Sequence, residues 1–536
     1  MSENISRREF VNISAMAAMA GTAIAAPLSS PAKDSNHNEH SNSAKKPNFV
    51  FFVPDSLRAD SLACYGNPVV RTPNYDHVAA DGVRFANCHI QFPVCGASRC
   101  SILTGWPASV RGHRSLYYFL RPDEPNLFRY LKQNGYDVYW FGKNDALATQ
   151  TFSDSVTEWA YFGEEDVVLT TPLAKNPWPL GDFRYYSFLF GEGADRKQYP
   201  DYAHVQAGIR ILEKQSDRPF CIFLALAAPH PPYTAPKGFH TEYSPSHLPP
   251  LKSEDTSRKP KFHSAVRKAY GLDRLDSSYF LKMRAVYLGM VSYTDWLLGE
   301  LLEAMERTNR SQDTALFVFS DHGEFAGDYG LVEKWPSALE DSITRVPCLV
   351  RYPGIAKAHV SEEMIEMFDL MPTVLELAGI PAHHTHFARS LVPQLHGNPG
   401  DPQRAAFAEG GYNIYEPQCF EVPLPPQNLY FHKTQLQLDR PETVTRAAMV
   451  RTAKYKLIVR PAEEGEFYDY SQDPTESHNL YGDRSVSFAQ VELEKRLLHW
   501  YVNTTGVAPM DKDPRELPPF YPTPQFVSPR SMDGGE

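Results

Sequence analysis

Cys95 opens the run Cys95-Gly96-Ala97-Ser98-Arg99-Cys100-Ser101-Ile102-Leu103-Thr104-Gly105. The run puts a thiol and a guanidinium together at the start of a predicted helix, with Gly105 as its stop. A helix N-terminus favours anions, and an arginine fork binds sulfate or phosphate through two parallel hydrogen bonds. The chemistry indicated is attack on a tetrahedral oxyanion ester. A bare cysteine in this position reads more simply as a buried residue at a helix start. The complete run favours the chemical reading.

Four short apolar runs read as buried strands, and each is followed by a polar group. Asn48 to Val53 leads to Asp55, and Val138 to Phe141 leads to Lys143. Phe220 to Leu226 leads to His230, and Leu316 to Phe319 leads to Asp321 and His322. In open α/β sheets a ligand sits outside the carboxyl ends of the strands. One polar residue past a strand is ordinary; carboxylates, a lysine and histidines at four strand ends predict one composite site. Asp55, Asp321 and His322 are its candidate ligands for one divalent cation. Two carboxylates and few thiols indicate a hard ion, calcium first and magnesium next, and the imidazole also admits manganese. His230 lies in Pro229-His230-Pro231-Pro232, where the prolines hold the backbone extended. Arg111, His113 and Arg114 follow the cysteine run closely enough to meet a second anionic group on a substrate.

The Cys95 run resembles the signature of the type I sulfatases, Cys-x-Pro-Ser-Arg-x-x-x-Leu-Thr-Gly, within the alkaline phosphatase superfamily. The match covers Cys95, Ser98, Arg99, Leu103, Thr104 and Gly105; Ala97 stands where proline is usual. The resemblance implies that Cys95 is oxidised to formylglycine, whose hydrate is the nucleophile and whose oxygen at position 95 completes the metal shell of Asp55, Asp321 and His322. It implies a maturase, and the family's radical-type maturases accept alanine at that place. It implies that Arg99, Lys143 and Lys334 orient and neutralise sulfate and that His230 protonates the leaving alcohol. Two further departures stand out. The family has two acidic residues after the first strand, whereas here Asp55 is followed by Ser56, which offers only a neutral oxygen. Many members carry Gly-Lys-x-His, whereas this chain has Gly142-Lys143-Asn144-Asp145. Ser56 and Asp145 are therefore carried as substrate-side candidates, Asp145 as a reader of a substrate hydroxyl.

The elements that must position these groups follow from periodicity and punctuation. Helices are predicted over Thr72 to Ala80, Asn126 to Asn134, Arg284 to Arg307 and Phe368 to Ala378, and Gly135 and Gly379 close the second and the last. Strands alternating with helices predict an α/β fold with a large central mixed sheet flanked by helices, alkaline phosphatase-like on the resemblance. The end of the chain reads differently. Ala448 to Arg460 and Glu466 to Tyr470 are read as two antiparallel strands, Asp473 to Glu476 as a turn, and Ser487 to Tyr501 as a helix. This predicts a smaller C-terminal α+β subdomain with a short antiparallel sheet. The pattern from Tyr468 to Leu480 also resembles the sulfatase C-terminal subdomain.

The 536 residues, 42% hydrophobic, suffice for one large domain and a smaller one. Residues 1–26 read as a twin-arginine signal peptide, with Arg7-Arg8, an apolar Val11 to Ala26, and Ala23-Ile24-Ala25 as the cleavage site. That predicts a periplasmic or secreted protein, exported folded, so that Cys95 can be modified beforehand. Residues 27–46 read as a flexible linker, 47–400 as the catalytic domain, and 401–536 as the C-terminal subdomain with a Pro-rich tail. Past the N-terminal segment no apolar run is long enough for stable membrane insertion, and no basic stripe supports nucleic-acid binding. The seven cysteines show neither a disulfide framework nor zinc spacing. With a net charge of −11, the field that attracts an anionic substrate must be local. Lys252 to Lys268 carries six basic residues and reads as a solvated loop or a cover for a polyanionic glycan.

The function expected is an exported sulfatase acting on sulfated carbohydrate or a smaller sulfate monoester. Its rivals are a phosphonate monoester hydrolase or phosphodiesterase of the same superfamily, and a noncatalytic sulfoglycan-binding protein in which Cys95 stays a thiol.

Overall fold

The computed structural model describes residues 46–160 and 174–506. The segments read as a signal peptide and as a linker, up to residue 45, and the Pro-rich tail beyond residue 506 lie outside the described residues.

Nine strands build the main sheet: β1 (Asn48–Val53), β2 (Val83–His89), β3 (Asp137–Gly142), β4 (Glu158–Ala160), β5 (Phe220–Ala225), β6 (Thr314–Phe319), β7 (Arg345–Val346), β8 (Cys348–Arg351) and β9 (His359–Glu366). Their order is β4-β3-β5-β1-β6-β8-β2-β7, with β9 alongside β2. The half from β4 to β6 is parallel, whereas β8 runs antiparallel to β6 and β2, so the sheet is mixed. The parallel half is sandwiched between helical layers, which is why its strands are continuous apolar runs. Val50 and Phe52 pack towards the helices Pro200–Glu213 and Ser277–Arg307. Phe49, Phe51 and Val53 face Leu127–Gln133 and Leu370–Leu377. The long helix begins at Ser277, earlier than its apolar stripe indicated, because the Asp276 carboxylate accepts from Tyr279 N at 3.0 Å and caps it.

Register aligns the functional edge. Val53 lies beside Ala225, Gly142 beside Ala225 from the other side, and Phe52 beside Val318. The chain therefore leaves β1, β3, β5 and β6 at one end of the sheet, carrying Asp55, Lys143, His230 and Asp321 with it.

The second sheet, β10 (Ala406–Gly410), β11 (Ala447–Arg451), β12 (Tyr455–Val459) and β13 (Glu466–Asp469), is antiparallel in that order. The helix Ser487–Thr504 covers it through Leu493 and Leu497. The stretch read as one strand from Ala448 to Arg460 is two strands of a hairpin. Thr452 closes it, its N–H donating to Tyr455 O at 2.8 Å and its hydroxyl accepting from Tyr455 N. No glycine or proline marks this turn, so the apolar pattern runs through it. The basic stretch is corrected as well. Lys261–Ala269 is a helix, and Lys252, Arg258 and Arg267 pair with Glu476, Glu464 and Glu254. Lys259 donates to Tyr468 OH at 2.9 Å. These groups hold the segment to the protein rather than stand free for a polyanion.

Glu476, from the Asp-Pro-Thr-Glu turn, ties the second sheet to the chain that follows the site. It is fully buried, accepts from Lys456 Nζ at 2.6 Å and from Asp341 N at 3.0 Å, and receives Tyr329 OH at 3.3 Å. Burial opposes its ionisation, yet Lys456 and Lys252 hold its pKa below the ordinary value. Its contribution is complete above the ordinary glutamate pKa and is lost as pH falls through the folded one. Replacing Glu476 with Ala leaves the Lys456 ammonium in the interior with Asp341 alone. A loss of about 3–5 kcal/mol in denaturant unfolding at neutral pH is the expected result.

Candidate active site

The helix Cys95–Thr104 is buried along its whole length and presents Cys95 as its first residue. Gly105, at φ +69°, ends it in the left-handed region that favours glycine. Gly96 is required by a close approach: a Cβ there would lie 2.9 Å from the Phe119 ring and 3.0 Å from Ser115 O. Ala97 stands in the first turn, where a backbone N–H has no partner inside the helix. Its difference from proline therefore alters no helical hydrogen bond.

Four donor atoms, one each from Asp55, Cys95, Asp321 and His322, lie within 4.8 Å of one another, and all four residues are buried. His322 Nδ1 lies 2.8 Å from Gly323 O. A carbonyl only accepts, so Nδ1 carries the proton and Nε2 presents a lone pair, 3.1 Å from Cys95 Sγ and 3.4 Å from Asp55 Oδ1. Burial keeps this imidazole neutral by lowering its pKa. Arg99 lies behind both carboxylates, with Nε 2.8 Å from Asp321 Oδ2 and Nη2 3.1 Å from Asp55 Oδ2. It therefore engages the Oδ2 atoms and leaves Oδ1 of Asp55 on the side of Cys95. Burial opposes the charge on Asp55, but Lys143, His230, His322 and Arg99 together hold its pKa well below the carboxylate range. Ser56 adopts φ +68°, and its hydroxyl donates to Asp55 Oδ1 at 3.1 Å.

Lys143 Nζ bridges Asp55 Oδ2 at 2.8 Å and Asp145 Oδ2 at 2.9 Å, and lies 3.5 Å from Cys95 Sγ. Burial would lower its pKa; Asp145 and Asp55 overcome this and keep it charged. On the opposite side, Lys334 Nζ donates to His230 Nε2 at 2.9 Å and to Glu333 Oε1 at 2.8 Å. His230 Nδ1 meets Pro231 O at 2.7 Å, so it carries the ring proton and Nε2 is the acceptor. Burial and then Lys334 push the His230 pKa well down. The turn before His230 is held by Asp201, whose two oxygens accept from Ala227 N and Ala228 N, each at 2.8 Å.

The sequence candidates thus fall into two groups. Asp55, Ser56, Cys95, Arg99, Lys143, Asp145, His230, Asp321, His322 and Lys334 converge. Arg111 and His113 instead engage Glu124, Arg111 through Nε at 3.1 Å and His113 through Nε2 at 3.2 Å. Glu333 and Asp201 were missed because acidic residues in a loop or at a helix start carry no distinctive local signal. Facing position 95, the carboxylates of Asp55, Asp321 and Asp145 balance Arg99, Lys143 and Lys334 charge for charge.

Burial, and after it Asp55, raises the Cys95 thiol to about 12 despite Lys143 and Lys334. The unmodified thiol is therefore protonated at neutral pH and reacts slowly as a nucleophile. In protein made without a maturase, iodoacetamide at pH 8 should label Cys95 slowly in the folded, chelator-treated state and rapidly after denaturation; peptide mass spectrometry reads the difference.

Residues 47–380 match the family model named Sulfatase, and residues 426–503 match the model named N-sulphoglucosamine sulphohydrolase, C-terminal. A sulfatase of Formosa agariphila is 27% identical over 409 residues, covering 69% of this chain and 76% of the relative. An N-acetylglucosamine-6-O-sulfatase of Bacteroides thetaiotaomicron is 25% identical over 540 residues, covering 88% and 89%. In fold, the crystal structure of the phosphonate monoester hydrolase of Agrobacterium radiobacter superposes with a TM-score of 0.70 at 20% identity, covering 86% of this chain and 96% of that one. The mixed sheet with its flanking helices and second antiparallel sheet is alkaline phosphatase-like. A family model spanning more than half of the sequence makes the chain a member of the sulfatase family, the sulfuric ester hydrolases.

Proposed function

We propose that this protein hydrolyses sulfate monoesters on a sulfated carbohydrate, with Cys95 converted to formylglycine and one divalent cation held beside it. The carrying observation is the convergence of donor atoms from Asp55, Cys95, Asp321 and His322 within 4.8 Å, backed by Arg99. The donor set fits a hard cation, calcium first, with magnesium or manganese as alternatives. Charge argues the same way: the side chains facing position 95 sum to neutrality, so a dication supplies the excess positive charge that an anionic ester needs. Held by Asp55, Asp321, His322 and an oxygen at position 95, it would act as a Lewis acid towards sulfate and position-95 hydroxyls. The thiol itself, protonated and buried, is a poor nucleophile; an aldehyde hydrate supplies one hydroxyl for sulfur and a second for expelling sulfate.

The chain's own groups then have definite tasks. Lys143 and Lys334 flank the position-95 side chain and take up charge on the sulfate oxygens. Arg99 holds the two metal carboxylates in place through their Oδ2 atoms. His230 and Lys334 share a hydrogen-bonded proton, and that pair delivers it to the departing alkoxide. Sugar alcohols are poor leaving groups and need such delivery, which favours a carbohydrate ester over an aryl one. The relative named N-acetylglucosamine-6-O-sulfatase supports the same substrate class. Export through the twin-arginine route, after modification by a maturase that accepts Ala97, completes the reading.

The decisive test is mass spectrometry of the peptide from Phe85 to Arg99 in protein made by its native host. An aldehyde at position 95 is expected; a fully retained thiol overturns the formylglycine mechanism and favours a glycan-binding protein. Turnover of sulfate monoesters should exceed that of phosphate diesters, and the reverse would favour the phosphonate hydrolase reading. His230→Ala should lower kcat on a sugar sulfate by about 10²–10⁴-fold, with a smaller fall on 4-nitrophenyl sulfate. Dialysis against a chelator should abolish sulfate release, and calcium or magnesium should restore it.

A further inference from the structure

A string of buried charges leads away from His230 into the C-terminal part of the chain. Lys334 Nζ lies 2.9 Å from His230 Nε2 and 2.8 Å from Glu333 Oε1. The other oxygen of Glu333, Oε2, lies 3.2 Å from Lys433 Nζ, which also reaches Oε1 at 3.3 Å. Lys433 Nζ in turn meets Glu421 Oε1 at 3.1 Å. Gln437 closes the string, its Nε2 donating to Glu421 Oε1 at 3.2 Å and its Oε1 accepting from Glu421 N at 2.9 Å. Lys433 and Gln437 project from one face of the helix Phe431–Asp439, one turn apart.

Glu333, Lys334 and Lys433 are almost wholly buried, at 2%, 4% and 3% exposure. Glu333 is also held at φ +57°, a backbone region that disfavours side chains with a Cβ. Buried alternating charges and a strained backbone are costly, and such costs gather at functional sites. The geometry shows what they achieve. Faced with Lys334 alone, the Glu333 carboxylate could close a two-oxygen pair with it and draw Nζ off His230. Lys433 occupies Oε2 and part of Oε1, so Lys334 keeps a single contact with Oε1 and its Nζ stays in place against His230 Nε2. Tyr233 OH, which accepts from Glu333 N at 3.2 Å, fixes the same residue from the backbone side.

We propose that Lys433, acting through Glu333, is a positioning residue that holds Lys334 on His230. The C-terminal segment thereby completes the proton-delivering side of the site. This rests on the sulfatase mechanism proposed above for its catalytic consequence, but the contact itself does not. The test uses full-length protein with ¹⁵N-labelled histidine, in wild type, Lys433→Met, Lys433→Arg and Glu421→Gln, with His230→Gln assigning the signals. In Lys433→Met the His230 ring-nitrogen resonances should move, and Lys433→Arg should return them towards wild type. Glu421→Gln, which removes only the far anchor, should move them less in the same direction, and serves if Lys433→Met does not fold. On a sugar sulfate, Lys433→Met should lower kcat by about 10–100-fold with little change in KM, and Lys433→Arg should recover most of it. Unmoved His230 resonances in Lys433→Met and Glu421→Gln overturn the proposal, as does an equal loss of kcat in the Met and Arg variants. Wild-type protein that releases no sulfate overturns the mechanism instead, while the histidine signals still decide the contact.

Discussion

Arg99 bridging Asp55 and Asp321 is the interaction on which the rest of the site is built. Two carboxylates that close together in a buried space repel each other and lose their hydration. The guanidinium removes both difficulties, because its fork reaches Oδ2 of each acid from the same side. A lysine carries one point of charge and could not hold both acids in a fixed plane. Arg99 is 2% exposed and its remaining Nη1 donates to Lys143 O at 3.1 Å, so its own position is determined by the strand end it serves. The same contact links three elements: the helix that carries Cys95, the turn after β1 and the turn after β6.

The fold explains why such a bridge forms at all. Parallel strands β3, β5, β1 and β6 end together, so residues hundreds of positions apart arrive within a side chain's reach of one another. Their apolar interiors offer few polar partners until the strand is over, which concentrates the charged groups of the site at the rim. The antiparallel half of the sheet contributes support rather than chemistry. The C-terminal part of the chain contributes through long side chains: Glu476, in the turn after β13, grips the chain after the site, and Lys433, on the helix Phe431–Asp439, reaches Glu333.

Legibility in the sequence follows from this arrangement. β1, β3, β5 and β6 were readable because strands buried on both faces show as uninterrupted apolar runs, and the groups just past them were readable by position. The Cys95 helix was readable through its motif. The Thr452 hairpin was not, because Arg451-Thr452-Ala453-Lys454 carries no turn residue and its closure depends on a threonine hydroxyl. Lys433 was not readable either: Phe431 to Asp439 looks like any surface helix, and only the tertiary fold turns that lysine inward. Arg111 and His113 show the opposite case. They are near Cys95 in sequence, but Glu124, wholly buried, draws both of them to itself.

The two departures from the sulfatase pattern become intelligible together. Where the family carries a second acid after the first strand, Ser56 contributes only a hydroxyl on Asp55 Oδ1. Where many members carry a histidine after Gly-Lys, Asp145 contributes a carboxylate on Lys143 Nζ. One negative charge is thus absent beside the proposed cation and one is present beside the lysine, so the formal charge around position 95 is conserved while its distribution shifts. The cation side is left with less negative charge, which weakens purely electrostatic retention of the metal and gives more weight to His322 Nε2. Lys143, shared between Asp55 and Asp145, offers a sulfate less free positive charge than an unpaired lysine would. Lys334 compensates on the other side, since Glu333 is itself divided between two ammonium groups. The positive field at position 95 is therefore strongest towards Lys334 and His230, the side from which the mechanism proposed above delivers its proton.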